Sequence, residues 1–425
     1  MSEERTEAGS ELRQRAILVG VQIGNGDITY FMNELEQLAE AAGLEVVGVM
    51  TQKAERVNPA TYMGTGKVEE LKEACTGLEA DLVVLNNELS GRQIRNLEDG
   101  TGVKVIDRTI LILDIFASRA TSGEGKLQVE LAQLQYRLPR LTGFGKALSR
   151  TGGGIGTRGP GEKKLETDRR HIARQIDEIR REIETVKSAR EVQRSKRTKS
   201  GLPVVAIAGY TNAGKSTLMN KLLMQTEKED KSVFEKDMLF ATLDTALRSI
   251  KLDVDKEFIL IDTVGFVSNL PHALVNAFRS TLEEILYADL ILHVVDASYE
   301  EFFFNMTVAD RVLDEIGAES IKKIYVFNKI DKIENYRDIL PGGPDCLYIS
   351  AKSGEGMDEL TERICSELFS DRINAQLLIP YDKGNISSYL CEKCKVIEME
   401  YRNDGTFFEA ELSKEDYGRF RDYLI

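Results

Sequence analysis

The sequence predicts an α/β fold. A phosphate-loop nucleotide domain is preceded by a parallel α/β domain with a long antiparallel helical hairpin, and is followed by a small α+β domain. Three observations predict this. Val204–Ala208 is an apolar run that reads as a buried strand; it leads into Gly209-x-x-x-x-Gly214-Lys215-Ser216 and then into TLMNKLLM, which has helical spacing. Residues 16–116 alternate short apolar runs with helical patterns, which argues for a parallel sheet with right-handed crossovers. Leu127, Leu131, Leu134 and Leu138, and then Ile172, Ile176, Ile179, Ile183 and Val186, recur at heptad spacing, so two helices offer a seam to each other. The expected boundaries are 1–125 for the first domain, 126–200 for the hairpin, 201–370 for the nucleotide domain and 371–425 for the last.

A chain of 425 residues with 42% apolar content can bury several cores. The N-terminus, MSEERTEAGSELRQR, is too acidic and polar for a signal peptide and reads as a frayed tail. No apolar run approaches the ~20 residues that a membrane span needs, so stable membrane insertion is not expected. Five scattered cysteines suit a reducing, cytoplasmic setting. A zinc site at Cys391-x-x-Cys394 would need two further ligands, and the sequence places none nearby.

In the first domain the expected strands are Ala16–Val21, Val46–Met50, Leu82–Leu85 and Val103–Ile106, and the expected helices are Tyr30–Ala42, Lys67–Ala74 and Gly91–Glu98. Gly64-Thr65-Gly66-Lys67 resembles half a phosphate loop, but it lacks the first glycine and the following Ser/Thr. It is either a helix-capping turn or an anion site. In the hairpin, Pro139 is expected to end the first helix. The tip, residues 143–162, holds eight glycines with Lys146, Arg150 and Arg158 against one acid, Glu162.

The net charge is −14, yet Arg137 to Ser200 carries 18 basic against 8 acidic side chains, a surplus of +10. This asymmetry means more than the total. A basic tip on a stiff arm suits RNA phosphates; a disordered connector on a solvated coiled coil fits the charge equally well. The basic run REVQRSKRTK couples the arm to the phosphate-loop strand.

The nucleotide domain carries the densest chemistry. Backbone N–H groups of Gly209, Tyr210, Thr211, Asn212, Ala213 and Gly214, together with the N-terminus of the next helix, can cradle a triphosphate. Lys215 adds a full charge for the β- and γ-phosphates, and Ser216, followed by Thr217, places a hydroxyl for Mg²⁺. Phe240-Ala241-Thr242-Leu243-Asp244 lies where a first switch belongs, with Thr242 as a second hydroxyl for Mg²⁺. Asp262-Thr263-Val264-Gly265 ends the next strand: Asp262 would hold Mg²⁺ through water, and the Gly265 N–H would sense the γ-phosphate. Lys215, Thr242 and Gly265 are the candidate catalytic groups, and Ser216, Thr242 and Asp262 the candidate metal ligands.

Asn328-Lys329-Ile330-Asp331 follows another strand. The Asp331 carboxylate can accept from guanine N1–H and the 2-amino group, neither of which adenine offers. Asn328 would brace the loops and the Lys329 stem would pack along the base, while Ser350-Ala351-Lys352 can reach O6 through backbone N–H. Taken singly DxxG and SAK are weak patterns; at the ends of successive strands the set specifies a GTPase. Asp296 and His293 read as structural. Asn212 in GxxNxGKS either shapes the loop or helps to hold K⁺. Position 266 is Phe where Ras-like enzymes carry the Gln that orients the attacking water, so intrinsic hydrolysis is expected to be slow.

With these residues in view the chain resembles HflX, a ribosome-associated family in the OBG-HflX-like group of P-loop GTPases with a hydrophobic residue in place of the catalytic Gln. The resemblance spans nearly the whole chain. It rests on VIDRTILILDIFASRA from Val105, KLQVELAQLQYRLPRL from Lys126, SRTGGGIGTRGPGE, KLETDRR from Lys164, GYTNAGKSTL, FATLD, DTVGF, LHVVDAS and NKID. It implies Mg²⁺-dependent GTP hydrolysis, with GTP and GDP as ligands. It also implies binding to the large ribosomal subunit with the tip near the peptidyl-transferase centre, splitting of stalled or idle ribosomes, and action as a monomer. The rRNA contact would fall to residues 137–200. The alternative is a non-hydrolysing GTP-gated RNA-binding switch or a ribosome assembly factor, which Phe266 would favour. Two positions depart from the family: Thr245-Ala246 replaces a usual Pro-Thr after FATLD, and Thr151 stands where Gln is common. Residues 371–425 read as a helix followed by a strand pair.

Overall fold

The computed structural model describes residues 13–24, 27–141, 160–200, 202–224, 246–253, 256–268 and 282–425. The N-terminal tail, most of the glycine-rich tip with Thr151, and the first-switch stretch Phe240–Thr245 lie outside the described residues. One compact unit holds the described residues up to Ser188, and a second holds those from Ala189 onward.

The first unit is built on a parallel four-stranded sheet, ordered β2-β1-β3-β4, with β1 Arg15–Ile23, β2 Glu45–Ala54, β3 Leu82–Leu85 and β4 Lys104–Asp107. The β1 interior, Ala16 to Val19, is at most 2% exposed, as a strand covered on both faces must be. Three helices cross between the strands: α1 Thr29–Ala41, α2 Thr65–Gly77 and α3 Gly91–Thr101. All seven expected elements are present, with ends shifted by up to four residues. Gly64 is the N-cap of α2, and its N–H donates to Gln52 Oε1 at 3.0 Å, so this turn starts a helix.

An element that the sequence reading did not mark is α4, Arg108–Arg119, directly after β4. Asp107 makes this junction. Its fully buried carboxylate caps α4 through the Ile110 N–H at 3.0 Å and accepts from the Leu89 N–H at 3.0 Å and from the Tyr136 hydroxyl. Burial pushes this carboxyl up, against those three donors and Arg140. The Arg140 guanidinium stands 3.6 Å from Asp107 and lies 3.2 Å over the Tyr136 ring.

Tyr136 and Arg140 belong to α5, Gly123–Arg140, so the Asp107 cluster bolts the first hairpin helix to the sheet. Tyr136→Phe removes one donor from a buried carboxylate. It should lower the stability of this unit by ~1–3 kcal/mol, read from the urea transition of the intact chain. Pro139 does not end α5 as expected: the helix runs one residue further, to Arg140. A proline costs little there, because the chain leaves the helix within two residues and the Leu141 N–H still reaches Arg137 O. The second hairpin helix, α6, is unbroken from Pro160 to Ser200, so it starts inside the stretch assigned to the tip. Pro160 suits a first helical position. Leu131, Leu134, Ile176 and Ile179 form the buried centre of the seam, flanked by Leu127, Leu138, Ile172 and Ile183.

The second unit contains a six-stranded sheet ordered β10-β9-β8-β5-β7-β6. Its strands are β5 Val204–Gly209, β6 Ala246–Asp253, β7 Lys256–Asp262, β8 Leu290–Asp296, β9 Lys322–Asn328 and β10 Cys346–Tyr348. Only β6 runs antiparallel, against β7. The core beneath the phosphate loop joins Ile207, Leu218, Leu222, Leu260 and Leu292, each 0% exposed, from α7 Lys215–Met224 and the central strands. Among the described residues three further helices follow: α8 Phe302–Ile316, the single turn α9 Tyr336–Ile339, and α10 Met357–Leu368.

The chain then forms a three-stranded antiparallel sheet, β11-β13-β12, from β11 Ile373–Ile379, β12 Lys395–Arg402 and β13 Gly405–Leu412. The helices α11 Gly384–Lys393 and α12 Lys414–Arg419 complete it. The sequence reading expected only a strand pair after the helix; β11 precedes it. Its alternation is plain in retrospect: Ala375, Leu377 and Ile379 are buried, whereas Asn374 and Gln376 are not. Among the described residues no helix is long and apolar enough to cross a membrane.

Candidate guanine-nucleotide site

The described motif residues gather at the C-terminal ends of neighbouring parallel strands, where open α/β sheets bind ligands. Gly209 ends β5, Asp262 ends β7 and Asn328 ends β9, while Ser350, Ala351 and Lys352 follow β10. The phosphate loop turns through Tyr210, Thr211, Asn212 and Ala213 into Gly214, where φ is +90°. A side chain there would meet Asn328 Nδ2 at 2.3 Å, so only glycine lets the two loops close on each other. Asn212 is itself left-handed, with φ +59°, a conformation that Asn tolerates better than most residues; loop shape alone therefore accounts for an Asn here.

Lys215 is folded into this loop. Its Nζ donates to Tyr210 O at 2.8 Å and to Gly209 O at 3.0 Å. Burial pushes the ammonium down to about 8; Asp262 opposes that shift and Lys329 adds to it. Ser216 Oγ lies 3.4 Å from Asp262 Oδ2. A hydroxyl and a carboxylate held together at the helix start form a hard-oxygen pair of the kind that Mg²⁺ takes while keeping several waters. The donor set therefore fits the ion. Thr242, the third expected ligand, lies outside the described residues, as do Phe240, Ala241, Leu243 and Asp244. Thr217 sits in the first turn of α7.

The DTVG stretch packs onto the phosphate loop. The Thr211 N–H donates to Phe266 O at 2.7 Å, the Phe266 N–H to Gly209 O at 3.1 Å, and the Ser268 N–H to the Tyr210 hydroxyl at 2.5 Å. Thr263 Oγ1 donates to Ile207 O at 2.7 Å, which ties β7 to β5 beyond the ladder, and Val264 is buried. Gly265 is pressed so close that a side chain would meet Thr211 Cγ2 at 2.7 Å and Lys215 Nζ at 3.0 Å. The Phe266 ring is 1% exposed and committed to the core.

The loops expected to hold the base are joined through Asn328. Asn328 Nδ2 donates to Ala213 O at 2.8 Å, and Asn328 Oδ1 accepts the Ala351 N–H at 3.0 Å. That second bond has a consequence for the base contact. Because the Ala351 N–H is engaged by Asn328, the expected contact to O6 must come from the rest of Ser350–Lys352 or displace this bond. Lys329 has φ +66°, which turns the chain so that Asp331 is exposed on a 3₁₀ turn, Ile330–Lys332, while Ile330 is buried beneath it.

Sequence reasoning missed a partner of the site. Asp296 Oδ2 receives the Lys329 ammonium at 2.8 Å, and the paired register Asp296↔Asn328 sets the two side by side. Its position at the end of the strand adjoining the NKxD strand was the available signal. The Asp296 carboxylate also takes the Ser298 N–H and hydroxyl. His293 is buried in the same strand, with Nδ1 3.4 Å from Asp310 and its ring 5.2 Å from that of Tyr325, away from the motif loops.

Comparison with known proteins agrees with this geometry. Three family models match in succession: "GTP-binding GTPase N-terminal" over residues 29–117, "GTP-binding GTPase Middle Region" over 119–197 and "50S ribosome-binding GTPase" over 204–329. A "GTPase HflX" of Caldanaerobacter subterraneus subsp. tengcongensis is 50% identical over 97% of this chain and 94% of its own. One from Alkalihalophilus pseudofirmus is 48% identical over 88% of this chain and 87% of its own. The Escherichia coli (strain K12) protein of the same name is 40% identical over 94% of this chain and 92% of its own. With the guanine motifs assembled on one sheet edge and likeness along nearly its whole length, the chain belongs to the HflX family of GTPases, and its chemistry is the hydrolysis of GTP.

Proposed function

We propose that this GTPase docks its basic helical hairpin on the RNA of the large ribosomal subunit when GTP is bound, and that hydrolysis releases it, in the course of splitting stalled or idle ribosomes. The observation that carries this reading is continuity of the chain. The +10 stretch from Arg137 to Ser200 includes one unbroken helix, Pro160–Ser200, and β5 with the phosphate loop starts at Val204. A change at the γ-phosphate is thus only a few residues of chain away from the arm.

In this reading Lys215 and the phosphate-loop N–H groups bind the triphosphate, apart from those of Thr211 and Ala213, which are engaged by Phe266 O at 2.7 Å and Tyr210 O at 3.3 Å, and the Gly265 N–H meets the γ-phosphate. Asp331 selects guanine, held in place by the Asn328 brace and the Lys329–Asp296 pair. Ser216, Thr242 and Asp262 would hold Mg²⁺, which supplies charge neutralisation of the β- and γ-phosphates. Asn212 would add K⁺ where that ion is used. The protein acts as a monomer in the cytoplasm.

Sedimentation with large subunits tests the proposal. The chain should pellet with them in a non-hydrolysable GTP analogue and stay in the supernatant in GDP; equal pelleting in both would overturn it. The same subunits should raise turnover well above the ~10⁻⁴ s⁻¹ typical of unassisted switch GTPases. Replacing Arg150 and Arg158 by Ala should weaken binding and lower the slope of log K against log[salt] by about 1 for each RNA phosphate that is no longer neutralised. An unchanged slope would mean that the RNA is held elsewhere on the chain.

A further inference from the structure

Phe266 leaves the site without the side chain that would orient the attacking water, and its ring, 1% exposed, is committed to the core. A polar group stands close by. Thr211 is 6% exposed, and its hydroxyl is buried with no hydrogen-bond partner in the protein. Its backbone is fixed by the bond from its N–H to Phe266 O at 2.7 Å, which fixes where the side chain is rooted. The position is revealing: the Thr211 methyl and the Lys215 ammonium both lie within 3.0 Å of the point where a Gly265 side chain would begin. Lys215 and Gly265 are the two groups assigned to the γ-phosphate, so Thr211 borders the same space. Buried hydroxyls are nearly always bonded, and one left over beside a ligand site is matched to something that arrives with the ligand. The neighbouring Thr263 shows the ordinary case, its hydroxyl satisfied by Ile207 O at 2.7 Å.

We propose that Thr211 Oγ1 orients the water that attacks the γ-phosphate, taking the part that a Gln after DxxG plays in Ras-like enzymes. In the step itself the water oxygen bonds to the γ-phosphorus as the bond to the β,γ-bridging oxygen breaks. The electron pair leaves on GDP and the water proton passes to a phosphate oxygen. The Thr211 hydroxyl keeps its own proton and holds the water in line.

The test uses the full chain, with GTP hydrolysis followed in single turnover and with the affinities for GDP and a non-hydrolysable GTP analogue measured alongside. Thr211→Val keeps shape and β-branching and removes only the hydroxyl. It should slow hydrolysis on the order of 10- to 100-fold, less than the loss of a full oxyanion donor. Both affinities should stay within about threefold, since a group that acts on the water changes the rate rather than binding. Thr211→Ser should hydrolyse within a few-fold of the parent. The thermal midpoint of nucleotide-free Thr211→Val should rise, because a buried unpaired hydroxyl is gone. A parental rate in Thr211→Val overturns the proposal. So does a loss of analogue affinity in step with the rate while GDP binding holds, which would make Thr211 a γ-phosphate ligand. The inference rests on the guanine-nucleotide reading of the site; failure of that reading shows separately, as absent GDP binding by the parent protein.

Discussion

Asp331→Asn will trade guanine for xanthine. The carboxylate is exposed on the turn after Lys329 and has two acceptor oxygens, the number that guanine N1–H and the 2-amino group would need. An asparagine presents one acceptor and one donor, so N1–H keeps an acceptor while guanine's 2-amino group faces an N–H and loses its own. Xanthine has a carbonyl at that place and accepts from the amide. Sites built to hydrogen-bond a group reject analogues that leave the pair unmatched by large factors. The affinity for GTP should fall on the order of 10³-fold, with a corresponding preference for xanthosine triphosphate, measured by competition for a fluorescent nucleotide. Retained GTP preference in the variant would show that Asp331 does not read the base. The brace around it is independent: Asn328 bonds Ala213 O and the Ala351 N–H, so fold and loop spacing should survive the exchange.

Lys215→Met should abolish turnover yet leave the nucleotide-free protein no less stable. Removing the charge proposed for the β- and γ-phosphates should cost at least about 10³-fold in hydrolysis, comparable to the loss of a transition-state charge donor. Stability should move the other way. The folded protein holds this ammonium near 8, below its ordinary value of 10.5, chiefly through burial. Folding therefore works against the charged form, and the penalty at pH 7 is already present because the group is protonated in both states. The two carbonyl contacts at 2.8 and 3.0 Å offset only part of it. Calorimetry of the nucleotide-free variant should show an unchanged or raised midpoint; a drop of several degrees would mean that the two carbonyl bonds dominate. A destabilising charge kept for function is a familiar trade.

The sheets were legible because parallel strands buried on both faces write continuous apolar runs, as in Val204–Ala208 and Leu290–Val295. The phosphate-loop, NKxD and SAK residues were legible because their chemistry demands fixed spacing after those strands. What escaped was packing that spacing does not encode. Helix α4 follows β4 without a loop, and its cap, Asp107, reads in sequence as the end of an apolar run. Strand β11 hides its alternation in seven residues next to Pro380. The Lys329–Asp296 pair joins residues 33 apart in sequence and needs the sheet register to be seen. The Thr211 hydroxyl stands out only in the fold, where it is buried without a partner in the protein.

Helix α6 has 41 residues, and at 1.5 Å per residue it extends about 60 Å. Over that distance an angular error of five degrees at one end displaces the other by about 5 Å, more than a hydrogen bond is long. Aim therefore depends on rigidity where the companion helix is rooted, and there Asp107 grips Tyr136 while Arg140 stacks upon it. A substitution in that cluster would loosen the root of the hairpin without touching any of the guanine-motif loops.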